Sequence, residues 1–164
     1  MKLTSFMRRS AGFTIIELVA SVAIIGILAS VAMPVIQTAM TRQKEAQLRA
    51  ALISIRGAID AYKQATVNGN IPKTSINPNG YPPLLTTLTG GVTDELSPTK
   101  AQIYFLRSIP RDPFFPDQTT PAVDTWTIRS FASPPEAPEK GDDVFDVQSM
   151  SSQAGLNGVP YNQW

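Results

Sequence analysis

The feature that most constrains this chain is an apolar run from Phe13 to Ile36, twenty-four residues that carry one charge, Glu17. At about 1.5 Å of rise per residue, a helix of that length crosses a hydrocarbon core of roughly 30 Å. A membrane-spanning helix is therefore the expectation. The charges around it are segregated. Residues 1–12 hold Lys2, Arg8 and Arg9 and no acid, residues 37–67 hold five bases against Glu45 and Asp60, and residues beyond 67 hold six bases against ten acids. The chain thus reads basic, apolar, basic, then mildly acidic, the pattern of a membrane anchor under a soluble head. The three leading bases keep residues 1–12 cytoplasmic and send the C-terminal part outward. With a formal net charge of +1, no nucleic-acid surface is expected.

Cysteine is absent, which excludes disulfides, thiol nucleophiles and cysteine-ligated metal sites. Histidine is absent too, so there is no Ser-His-Asp or Cys-His nucleophile system and no imidazole-bound zinc. No Gly-x-x-x-x-Gly-Lys-Ser/Thr phosphate loop is present either. An enzyme built from this chain would have to use carboxylates, Lys or Tyr. Its adjacent acids, Asp94-Glu95 and Asp142-Asp143, are poorly placed for paired acid/base work.

From Gln37 the pattern changes to Leu48, Leu52, Ile55, Ile59, Tyr62 and Thr66, with Arg49, Arg56, Asp60 and Lys63 between them. Steps of three and four mark one face of a helix. No Gly-Pro or Pro-Gly break separates this stretch from the apolar one, so one helix is expected from about Phe13 to about Thr66, ended by Asn68-Gly69-Asn70. The stripe serves either as a core face for the head or as a coiled-coil seam; the first is the expectation.

Beyond residue 67 the composition turns to Pro, Gly, Thr, Asn and Ser with short apolar pieces, as a small α+β head would show. Pro82-Pro83, Leu84, Leu85 and Leu88, closed by Gly90-Gly91, predict a brief extra helix. Thr125 to Phe131 and Val144 to Val147 predict two strands, and the proline-bearing Ala132 to Glu139 an exposed loop. The expected class is α+β: a long N-terminal helix, first transmembrane and then amphipathic, packed on a small antiparallel sheet. Its segments are the leader 1–12, the apolar helix 13–36, the amphipathic half 37–67 and the head 68–164.

The most specific motif is Arg8-Arg9-Ser10-Ala11-Gly12-Phe13-Thr14-Ile15-Ile16-Glu17-Leu18-Val19. It resembles the N-terminus of type IV pilin-like prepilins closely. That resemblance implies cleavage between Gly12 and Phe13 by the prepilin peptidase on the cytoplasmic side, then methylation of the new amine by the same enzyme. A glycine there lets the backbone enter a protease cleft in an extended form. A carboxylate within a membrane helix is costly, about 2.5–3.5 kcal/mol for Asp at a helix centre, so Glu17 needs a compensating partner. The resemblance implies one: the amine of Phe13 on a neighbouring subunit as a filament grows. An ordinary secretory signal ending at Ser30-Val31-Ala32 is the rival, but the run is too long for it, contains Glu17 and places Pro34 just past the cut.

Gly26 and Pro34 lie inside the expected helix, where glycine costs about 1 kcal/mol against alanine and proline about 3. In related filaments such a stretch can lose helical structure on assembly, so Gly26 to Pro34 is either a flexible segment or a simple kink that aims the head.

The head decides between members of that superfamily. Gly80-Tyr81-Pro82-Pro83 and the segment Tyr104 to Phe114, with its Pro110-Arg111-Asp112-Pro113-Phe114 turn, are similar to the major pseudopilin of type II secretion systems. That similarity implies a non-enzymatic subunit of a filament that drives protein export, with a surface pilus for adhesion, motility or DNA uptake as the alternative. The implied partners are copies of itself, the prepilin peptidase, an inner-membrane assembly platform, minor pseudopilins and, before assembly, membrane lipid. The implied location is the bacterial inner membrane, single-pass, with the head in the periplasm. These pseudopilins also bind calcium in their last loop, which places Asp146, with Asp143 or Asp142, among the ligands. Where the family has a further Asp this chain has Gln153, leaving one charge fewer. Without calcium, that loop would have to be held by packing of Leu156, Tyr161 and Trp164.

Overall fold

The computed structural model describes residues 12–73 and 78–164. Apart from Gly12, the leader lies outside the described residues. Helix α1 runs Ile15–Val67, within two residues of the expected span. The chain divides into two compact units, one ending at Met40 and one running Thr41–Trp164.

In the first unit, α1 is long and apolar enough to cross a membrane. Its large side chains, from Ile15 (84 % exposed) to Ile36 (54 %), have no core of their own to enter. The hydroxyls in this stretch are satisfied inside the helix. Ser21 donates to the Glu17 carbonyl at 2.7 Å, Ser30 to Ile27 at 2.7 Å and Thr38 to Pro34 at 2.9 Å. This is how polar groups are tolerated where water is absent. Pro34 sits within the helix, and the helical assignment continues through Gly26 and Pro34.

In the second unit, the expected stripe is the core face of α1. Leu48, Leu52, Ile55, Ile59, Tyr62 and Thr66 are all buried, joined by Ala51 and Ala58. They pack with Ile71, Leu85, Leu88, Trp126, Val144, Val147 and Tyr161. The helix stops in a Schellman arrangement: Asn70 N–H reaches the Ala65 carbonyl at 2.9 Å and Gly69 N–H the Thr66 carbonyl at 3.3 Å. Gly69 takes φ +86°, a conformation that costs a side chain about 1 kcal/mol or more.

Two small antiparallel sheets complete the head. Strand β1 (Val92–Thr93) pairs with β2 (Gln102–Ile103), and β3 (Trp126–Arg129) with β4 (Asp146–Ser149) in the register Trp126↔Ser149 to Arg129↔Asp146. The class is α+β, as expected; β3 is shorter at both ends than the Thr125 to Phe131 expected, and three further details differ. The extra helix α2 spans only Thr87–Gly90, because the Pro82 carbonyl turns sideways to accept Val144 N–H at 2.8 Å instead of starting a helix. The last strand begins at Asp146, two residues later than Val144, whose amide is taken by that same contact. The β1–β2 hairpin was unexpected: strands of two residues leave no alternation to read.

Candidate functional site

The first site is the start of α1. Gly12 and Phe13 precede the helix, and Phe13 is 78 % exposed. Thr14 and Glu17 then bond reciprocally. Glu17 N–H donates to Thr14 Oγ1 at 3.3 Å, and Thr14 N–H donates to Glu17 Oε2 at 3.5 Å. With Leu18 N–H on the Thr14 carbonyl at 3.1 Å, Thr14 is the N-cap and Glu17 the third helical residue of a capping box. The carboxylate therefore folds back onto the amide of Thr14, one residue after the Gly12–Phe13 bond. It also sits at the positive end of the helix dipole. Thr14 was missed in the sequence, although Thr-x-x-Glu before an apolar run is its signature. This local partner offsets part of the cost of placing Glu17 in an apolar helix.

The second site is the C-terminal loop with Asp143 and Asp146. Asp146 faces two guanidiniums: Arg56 Nε lies 2.8 Å from its Oδ1 and Arg129 Nη2 3.4 Å from its Oδ2. Asp143 is buried, 3 % exposed. It accepts Ser130 Oγ–H at 3.0 Å, Phe131 N–H at 2.8 Å and Asn79 Nδ2–H at 2.9 Å. Loop carbonyls are engaged as well, that of Gln153 by Tyr161 N–H and that of Ser151 by Asn162 N–H, both at 3.0 Å. The donor set does not fit calcium, since a cation at Asp146 would have to displace two fixed positive charges. Among the described residues, no group of three or more metal-binding acidic side chains comes together. Asp94 and Glu95 have local partners too: Asp94 accepts from Asn70 and the Leu96 amide, and Glu95 pairs with Lys100.

The loop is instead closed by a residue not singled out earlier. Glu45, 6 % exposed on α1, accepts Leu156 N–H at 2.6 Å and Tyr161 Oη–H at 3.1 Å through one oxygen. Tyr161 and Trp164 pack as expected, ring edge to face at 5.1 Å. Leu156 does not: its side chain is half exposed and its amide makes the contact. Burial, and then the Glu45 carboxylate, push the Tyr161 hydroxyl above its usual range near 10. A raised pKa contributes stability that is complete below the unfolded value of 10.0 and is lost as pH rises through the folded one. Alkaline unfolding should therefore begin at higher pH for Tyr161→Phe than for wild type, once each curve is scaled to its own stability at pH 8. Coincident scaled curves would count against the role.

A third buried carboxylate, Asp112 in the Pro110–Phe114 turn, is fully buried. It accepts Phe114 N–H at 2.8 Å and Ser149 Oγ–H at 2.6 Å, so it ties the turn to the end of β4. Trp126 Nε1 donates to the Pro110 carbonyl at 2.8 Å from the first residue of β3.

Compared with known protein families, residues 7–33 match the prokaryotic N-terminal methylation motif. The match takes in Gly12, Phe13, the capping box and α1 as far as Met33, and it supports the type IV pilin-like resemblance for that stretch. No curated protein and no solved structure matches the chain.

Proposed function

We propose, starting from the methylation motif, that this chain is a prepilin-peptidase substrate that becomes a structural subunit of a pilus-like filament. The observation that carries the reading is the register of that motif with the structure. A Gly12–Phe13 boundary lies two residues before an exposed apolar helix whose capping Glu17 accepts the amide of Thr14, the residue after Phe13. Hydrolysis of the Gly12–Phe13 bond leaves a carboxylate on Gly12 and an α-amine on Phe13, which is then methylated. While in the membrane the apolar half of α1 is solvated by lipid, with the leader cytoplasmic and the head outside the inner membrane. On assembly that half exchanges lipid for the same helix in neighbouring copies, at a membrane platform. Glu17 of one subunit then pairs with the Phe13 amine of the next. No catalytic role is assigned.

Within that class the reading is a major-pseudopilin-like subunit of a type II secretion filament, working with minor pseudopilins. What supports it is the sequence similarity of the Pro110–Phe114 turn, whose Asp112 is tied to the end of β4, together with that of the Gly80-Tyr81-Pro82-Pro83 segment. Loss of protein export in a deletion strain, with pilus-dependent adhesion and motility retained, is the expected phenotype. The reverse would assign the chain to a surface pilus.

N-terminal mass spectrometry of the protein from cells with and without the peptidase tests the core of the proposal. A peptidase-dependent N-methyl-Phe13 terminus is expected. A chain that keeps Met1, or begins at Met33, would overturn it.

A further inference from the structure

We infer that the C-terminal segment from Gln153 to Trp164 is a strap clamped onto α1 by Glu45, Arg49 and Arg56, and that it closes without a metal ion. Positions four and eleven residues apart fall within about 40° of one helix face, so these three side chains form a row. Glu45 takes the amide of Leu156 and the hydroxyl of Tyr161. The Arg49 guanidinium lies over the Trp164 ring, 4.5 Å from its centre. Arg56 donates to the Trp164 carbonyl at 2.7 Å and the Val147 carbonyl at 3.1 Å, while its Nε holds Asp146.

The strap is also closed on itself. Ala154 and Pro160 form an antiparallel bridge, and outside the strap Tyr161 stacks on Phe114 of the Pro110–Phe114 turn at 3.8 Å. At Gly155 a Cβ would meet Trp164 Cζ2 at 2.8 Å and Tyr161 Cε1 at 3.0 Å, so the rings approach to a distance that only glycine allows. The positive charges that neutralise Asp146 are thus the chain's own, supplied from α1 and β3. The same Arg56 that neutralises it also grips the strap. Calcium would compete with this row rather than complete it.

The test is hydrogen exchange on the full chain in detergent micelles, with chelator and separately with millimolar calcium chloride. Wild-type protection at Leu156 and Tyr161 should agree in the two conditions within about twofold, the scatter expected when no binding couples to closure. Glu45→Ala should speed exchange at Leu156 by about tenfold or more in both, the loss expected for a hydrogen bond to a charged acceptor. If Glu45→Ala also strips protection from β3 and β4, Glu45→Gln replaces it. A neutral acceptor bonds at roughly half the strength, so about fivefold faster exchange is expected there. Protection that appears only with calcium, or a Glu45 variant that folds and exchanges Leu156 at the wild-type rate, would overturn the inference. Exchange is read on the unassembled subunit, so the result stands apart from the filament proposal.

Discussion

Glu17→Ala is expected to insert in the membrane and to be cut after Gly12 as wild type is, yet to enter filaments about a hundredfold less or worse. That is the order of loss when one member of a desolvated charge pair is removed and the other is left unpaired. Insertion should not suffer, because alanine is the better residue for an apolar helix. The capping box makes a sharper comparison available. Glu17→Gln keeps a side-chain oxygen for the Thr14 amide but carries no charge, so it preserves the box and removes the ion pair. If the carboxylate acts by pairing with the Phe13 amine, Gln should fail nearly as badly as Ala. If it acts only as a cap, Gln should assemble. Sheared-filament yield against total processed protein, measured for both variants, separates the two. Normal assembly of Glu17→Ala would remove the pairing mechanism altogether.

The second large effect is expected in the head. Asp112→Ala should lower its stability by about 3 kcal/mol, because the Phe114 amide and the Ser149 hydroxyl both lose their acceptor in a buried place. Asp112→Asn should cost about 1 kcal/mol, since its oxygen can keep Phe114 and its amide can donate to Ser149 Oγ. Trp126, 2 % exposed and bonded to Pro110 beside the turn, is the reporter. Urea unfolding of the full chain in detergent, followed by near-ultraviolet circular dichroism, should show the order wild type, Asn, Ala. An alanine variant within 1 kcal/mol of wild type would mean that solvent reaches the turn and satisfies both donors.

How much could be read in advance followed the range of the interactions involved. The helix, its apolar first half, its buried stripe from Leu48 to Thr66 and its stop at Gly69 were legible because each is encoded within a few turns of chain. The capping partner Thr14 was equally local and was simply overlooked. The leucine helix was overextended because turn signals at Pro82-Pro83 say nothing about Val144, far along the chain, whose amide takes the Pro82 carbonyl. Similarity of spacing offered Asp146 as one calcium ligand in a loop already a charge short, while the guanidiniums that face it come from α1 and β3 and could not be read from that spacing.

By itself, then, the sequence determined the apolar run, the methylation motif around Gly12 and Phe13, the long helix and the class of the head, because composition and helical periodicity act between near neighbours. Tertiary structure alone decided what each buried carboxylate does. Glu45, Asp112 and Asp143 look in sequence like ordinary charged residues of a helix or turn. Their partners, at Tyr161, Ser149 and Asn79, are brought to them only when distant segments fold together. A buried charge is tolerable only where enough donors converge on it, and that convergence is a property of the packed chain.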